Sequence, residues 1–206
     1  MGRGGGENDD LHLMYMTRLQ WNFLKNQVKF AGSDLDYTED VAGLLAFAAV
    51  TNRSPYTRFS TEGGGQLPGF EDGDPGQYRV QQALLETAIK YRGLSWQQEL
   101  HWKEINDMVN SEITVLWANY IQVGYFLHYL WSTVPKPLET AIRYSVLNPD
   151  RDEWKNIQRE LSVAVNWLFK GHLNKLTAEF TFFKFEKDVA EERDDTRFRL
   201  QWDISM

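Results

Sequence analysis

The residues Thr196–Met206, TRFRLQWDISM, alternate without a break. Phe198, Leu200, Trp202, Ile204 and Met206 are apolar, while Arg197, Arg199, Gln201, Asp203 and Ser205 between them are polar. Successive side chains of a strand leave opposite faces, so this period of two predicts a β-strand with one apolar and one polar side. The pattern returns upstream. Leu176, Ala178, Phe180 and Phe182 alternate with Thr177, Glu179 and Thr181. Leu161, Val163, Val165, Trp167 and Phe169 alternate with Glu160, Ser162, Ala164 and Asn166. Leu138–Leu147, Leu94–Lys103 and Leu11–Phe23 follow the same rule, and Val115–Leu130 follows it more loosely. With Val41–Val50 and Tyr78–Tyr91 the chain is expected to form about nine strands, many near the ~9–11 residues that a membrane-crossing strand needs. Three segments also read locally as helix: Gln81–Tyr91 with a glycine cap at Gly93, the alanine-rich Val41–Val50, and Asp152–Leu168. Their strand neighbours assign them to the sheet.

Composition removes whole classes of function. Against 22 Lys and Arg stand 29 Asp and Glu, a formal net charge of −7, which excludes the basic footprint of a nucleic-acid partner. The absence of cysteine excludes a disulfide scaffold, a thiolate zinc site and thiol chemistry. The longest apolar run, Val41–Val50, is far short of the ~18 residues of a membrane helix. His12, His101, His128 and His172 show no metal-ligand spacing, and Glu99 and Glu104, an imaginable acid/base pair, read as structural or lumen residues for want of a pocket, a nucleophile or an orienting partner. No catalytic residue, metal or cofactor is therefore expected. Aromatic residues make up 14% of a chain that is polar on average, which suits either a membrane barrel with interfacial rings or a β-rich binding module.

The connections sort by end. Lys187–Asp195, Asn148–Ile157, Asn106–Glu112 and the long Thr51–Gln77 are polar or charged; Lys170–Asn174, Ser132–Pro137 and Arg92-Gly93 are shorter. Long loops on one side and short turns on the other are the habit of outer-membrane barrels. Leu24–Asp40 is the exception, a long connection on the short side. Residues 1–10, glycine-rich and acidic with no apolar stretch, read as a flexible loop remnant without a signal peptide, and residues 11–206 as the barrel segment.

A pore requires charge on one face of such a sheet and none on the other. The alternation predicts Arg18, Lys90, Lys103, Arg143, Arg197 and Arg199 on the polar face together with Glu86, Glu99, Glu139, Glu160, Glu179 and Asp203. The candidate pore-lining residues among them are Arg18, Lys90, Glu99, Lys103, Glu139, Arg143, Arg197 and Arg199, and Arg197 with Arg199 is the foremost basic patch. Acidic and basic positions nearly balance, so the wall reads equally as simple water-facing polarity with mutual ion pairs. The loop around Gly63-Gly64-Gly65 lacks the ending of a phosphate-binding P-loop; it is a candidate constriction loop, in which Arg53 and Arg58 would meet an anion if it folds inward.

ANYIQVGYFLHYLW, KPLETAIRYSVLNPD, LSVAVNWLFKGHLNKLTAEFTFF and DDTRFRLQWDISM resemble the closing strands of the phosphate-selective porin O and P family. AVTNRSPYTRFSTEGGGQLPGFEDGDPGQYRV and YRGLSWQQELHWKEI are similar to a subgroup of it. The resemblance covers nearly the whole chain from about Leu11, with Met206 where the family usually ends in Phe. It implies an all-β chain forming an antiparallel, transmembrane, porin-like β-barrel in the bacterial outer membrane. The family's barrel is larger and usually trimeric, so this chain would be a partial barrel of about nine strands from a homotrimeric parent. The implied activity is passive diffusion of small hydrophilic solutes, phosphate or other anions among them, with outer-membrane lipid as the surrounding partner. Two alternatives stay open: a soluble β-rich, carbohydrate-binding module, and a truncated porin fragment that does not function alone.

Overall fold

In a computed structural model the described residues are 12–24, 26–29, 31–58, 65–153, 156–185 and 193–205. Nine strands follow one another: β1 (Tyr15–Asn22), β2 (Ala42–Ser54), β3 (Tyr78–Tyr91), β4 (Leu94–Asp107), β5 (Glu112–Phe126), β6 (Leu138–Asn148), β7 (Gln158–His172), β8 (Asn174–Phe185) and β9 (Arg193–Ile204). Each pairs antiparallel with the next, giving a single up-and-down sheet in sequence order. The sheet is not closed: β1 and β9 are its edges. One turn of 3-10 helix, Leu127–Tyr129, follows β5. The chain is thus all-β, with the number of strands that the alternation predicts. Residues 1–10, Leu11 and Met206 lie outside the described residues.

Of the segments with local helical patterns, Gln81–Tyr91 falls inside β3, Ala42–Val50 of the second inside β2, and Gln158–Leu168 of the third inside β7. Pairing on both sides decides this, since β3 bonds to β2 and β4 along almost its whole length. Arg92-Gly93 makes the two-residue hairpin between β3 and β4, with both residues at positive φ (45° and 78°), as a type I′ turn requires.

The connections fall at two ends of the sheet. At one end β2 meets β3, β4 meets β5, β6 meets β7 and β8 meets β9; at the other β1 meets β2, β3 meets β4, β5 meets β6 and β7 meets β8. The expected division into long and short holds for most of them and departs at two besides 23–41. Asn106–Glu112 contracts to a tight hairpin because the strands continue to Asp107 and restart at Glu112, and 127–137 is longer than its expected turn. The first end is called here the acidic end, and the second the strap end.

Candidate functional site

The register separates the two faces of the sheet. Leu19, Phe47 and Leu85 stand in one row across β1, β2 and β3, as do Val163, Phe180 and Phe198 across β7, β8 and β9. On this face the charged side chains among the described residues, including Arg53, Arg79, Glu104, Arg159 and Lys184, gather at the acidic end. Between that rim and the strap end the face carries none. Trp21, Tyr91, Trp96, Tyr125, Trp167 and Trp202 lie toward the strap end, and Tyr15, Trp102, Trp117 and Tyr144 toward the acidic end. Most of this apolar surface is uncovered; Phe198 and Trp202 are 67% and 64% exposed.

The opposite face brings together Arg18, Glu86, Lys90, Glu99, Lys103, Glu139, Arg143, Glu160, Glu179, Arg197, Arg199 and Asp203, all those predicted to share it. Arg18, Glu86, Glu179, Arg197 and Arg199 pair with one another, and others engage neighbouring polar groups. Arg18 pairs with Glu86 at 2.7 Å across an intervening strand. Glu99 accepts the Tyr120 hydroxyl at 2.6 Å and lies 3.0 Å from His101 Nε2, while the Arg143 guanidinium sits over the Tyr120 ring. Glu179 takes Arg199 at 2.9 Å and Arg197 at 3.4 Å, and Lys175 meets Asp203 at 3.5 Å. A buried hydroxyl pair, Ser162 and Thr181, joins the wall behind Glu160 and Glu179. A cleft of about 340 Å³ runs along these β5–β9 side chains.

Half of the polar face is covered. From the strap end, the 23–41 connection runs inward across it. Val28 seats on Ala42, Leu44, Ala46 and Ala88, a small buried apolar cluster on the otherwise polar side. Ser33 donates to Glu139 Oε2 at 2.8 Å, and its carbonyl accepts from Lys90 Nζ at 2.9 Å, so this one residue ties β3 to β6. Asn166 donates to the same Glu139 oxygen at 2.9 Å. Asp34, fully buried, accepts the Gly93 amide at 2.8 Å and caps its own turn through Thr38. Tyr37 reaches the Lys136 carbonyl and packs its ring against Phe126 and His128, and Leu35 approaches Gly171 of β7. Burial, with the Asp34 and Glu139 carboxylates nearby, pushes the Tyr37 phenol up. Burial beside Lys136 pushes the His128 imidazole down.

From the acidic end, residues 65–77 fold over the same face. Leu67 and Phe70 pack on Tyr78, Val80, Ile105 and Leu116. A cavity of about 1630 Å³ lies beside them. Glu71 and Asp72 of this loop, Asp107 and Glu112 at the β4–β5 hairpin, Asp150 and Glu153 of the next loop, and Asp195 of β9 line it, with no Lys or Arg among the described lining residues. The two arginines of the candidate constriction loop part company here. Arg53 stands on the apolar face of the sheet and donates its Nε to the Gly76 carbonyl at 2.7 Å. Arg58 lies near enough to Lys103 for their charges to interact. The loop core, residues 59–64, is outside the described residues.

Sequence reasoning missed the strap. Ser33, Asp34 and Tyr37 are unremarkable in a loop, and only the excess length of Leu24–Asp40 on the short-turn side signalled that it had somewhere to go. No group of His, Asp and Glu that could hold a metal ion occurs among the described residues. No helix among them is long and apolar enough to cross a membrane. No family model, curated protein or solved structure matches the chain.

Proposed function

We propose that this chain forms part of the wall of a porin-type channel in a bacterial outer membrane, through which small hydrophilic solutes diffuse without chemistry. The supporting observation is the division of the sheet: an uncharged apolar face with aromatic rings toward both ends, backed by a face of interacting charged side chains. Rings with an apolar body and a polar tip belong at headgroup depth, and an uncharged band between them suits hydrocarbon. The resemblance to phosphate-selective porins agrees with this reading.

In lipid, an unpaired strand edge leaves backbone groups unsatisfied at several kcal/mol each. A working channel therefore has β1 and β9 paired, by further strands or by neighbouring copies. Because β1 and β9 point the same way, an odd number of added strands closes the barrel with antiparallel pairing throughout.

Refolding of the full chain into detergent or lipid tests the proposal. A β-type circular dichroism spectrum, a gel mobility that differs between boiled and unboiled samples, and stepwise conductance in planar bilayers are expected. Monomeric, β-rich protein that stays soluble without detergent would replace the channel with a binding module. Aggregation unless detergent is present, with no mobility shift, would assign the function to a longer parent.

A further inference from the structure

We propose that Glu179 is a specificity-determining residue that keeps the channel from preferring anions, so that cationic and neutral hydrophilic solutes pass ahead of phosphate-like ones; this rests on the channel reading above. The strap reaches β6 at Glu139 and β7 at Gly171, and beyond these contacts the cleft along β5–β9 presents the polar side chains that a solute would pass. Their foremost basic feature is the pair Arg197 and Arg199, both about half exposed on β9. Left alone, two guanidiniums on successive polar-face positions would give anions a positive rail. They are not left alone.

Glu179, whose side chain is 15% exposed, stands opposite them on β8 and holds both, at 2.9 and 3.4 Å. Thr181 donates to the same carboxylate at 3.2 Å, and Thr181 is itself fully buried against Ser162. Thr181 thus helps hold the carboxylate in place between the two arginines. Beside it Asp203 neutralises Lys175 in the same way. Along the whole cleft four cations, Arg143, Lys175, Arg197 and Arg199, face three carboxylates, Glu160, Glu179 and Asp203. This wall is close to neutral.

The approach to it is not neutral. A solute entering from the acidic end first crosses the large cavity, whose described lining includes Glu71, Asp72, Asp107, Glu112, Asp150 and Glu153 and no Lys or Arg. A mouth lined with an excess of one sign concentrates counter-ions and disfavours co-ions before contact with the wall. An acidic mouth in series with a compensated wall disfavours anions, and Glu179 is the residue on which the compensation turns.

Reversal potentials of the full chain in planar bilayers, under a KCl gradient, test this. The unaltered protein is expected to favour potassium over chloride. Glu179→Gln should move the permeability ratio toward chloride by about two- to fourfold, the effect of one wall charge acting oppositely on the two ions through a screened aqueous path. Glu179→Asp should stay near the original ratio. Arg197→Gln with Arg199→Gln should move it the other way, and this pair decides the matter if Glu179→Gln loses its heat-modifiable fold. A chloride preference in the unaltered protein, or conducting variants with unchanged ratios, would overturn the role of Glu179 and leave the channel standing. Absence of conductance in every variant, with a β spectrum intact, would instead remove the channel and this inference together.

Discussion

The halves β2–β5 and β6–β9 share one sheet, one register rule and one apolar outer face, yet their polar sides differ. On β2 the positions facing Lys90, Ala88 and Glu86 are Ala42, Leu44 and Ala46, all buried, because the strap lays Val28 over them. On β8 and β9 the corresponding positions are Lys175, Thr177, Glu179, Arg197, Arg199 and Gln201, open to solvent or to each other. Both covering loops leave from β2, one at each of its ends, so this strand is enclosed on a side that water occupies elsewhere. Residue type follows what the face meets, protein along β2 and water or neighbouring charges along the open part of β8 and β9.

The sharpest way to break this contrast is to remove one large side chain from each half. Phe126 is fully buried beneath Tyr37 at the strap, and Phe126→Ala should cost about 3–5 kcal/mol. Phe198→Ala on the exposed face of β9 should cost far less in detergent, where micelle fills the gap. Guanidinium midpoints of the two refolded variants measure the difference; equal shifts would mean that the strap is not packed as described. Next in size is Glu139→Ala, which strands the Ser33 hydroxyl and the Asn166 amide at about 1–3 kcal/mol for each group left buried. It should also speed trypsin cleavage at the exposed Lys29 of the strap, and Glu139→Gln should do so less. Gly124→Ala belongs with these: its added Cβ would lie 2.6 Å from Ser95 Oγ and 2.8 Å from Glu139 Oε1, an overpacking of about 1–3 kcal/mol.

The same contrast explains what could be read from the sequence. Where the polar face meets water, as in Thr196–Met206, alternation is complete and gives strand, face and neighbour directly. Where it meets the strap, alternation fails. Val41–Val50 is apolar on both sides and resembles a helix, because Ala42, Leu44 and Ala46 are chosen to fit a loop rather than solvent. The polar set from Arg18 to Asp203 was legible because each member depends only on strand parity. The Ser33–Glu139–Lys90 tie was not, since it joins a loop to two strands remote in sequence and no local period encodes it. Arg53 shows the limit from the other side. Parity puts it on the apolar face, and its charge is tolerated there because it sits at the rim and binds the Gly76 carbonyl.

Titration separates the halves more gently. His128 belongs to the strap corner, and burial beside Lys136 holds its imidazole below the ordinary value. The unfolded chain therefore takes up this proton first as pH falls below about 6.5. Stability at this corner is complete above that range and declines beneath it. Protection factors of the amides in residues 31–38, corrected for the intrinsic pH dependence of exchange, should fall as the sample is acidified from neutrality, while those in β8 should follow global opening only. His128→Phe should flatten the pH response of the strap; an unchanged response would place its origin in another group.

The smallest effect is expected from Arg197→Gln on the uncovered wall. Its guanidinium is half exposed, 3.4 Å from Glu179 and 5.0 Å from the centre of the Phe183 ring. An exposed pair of this kind contributes about 0.2–1 kcal/mol, and salt reduces it further. Arg199 stays on the same carboxylate at 2.9 Å, so the substitution leaves no buried charge alone. The denaturation midpoint should hardly move, and less at high salt than at low. A loss of several kcal/mol would mean that the wall is held together by its charges, so that it resembles the strapped half after all. The expected small value is also what makes the selectivity measurement clean: a variant that keeps its stability and changes its permeability ratio has changed the field in the channel, not the fold that encloses it.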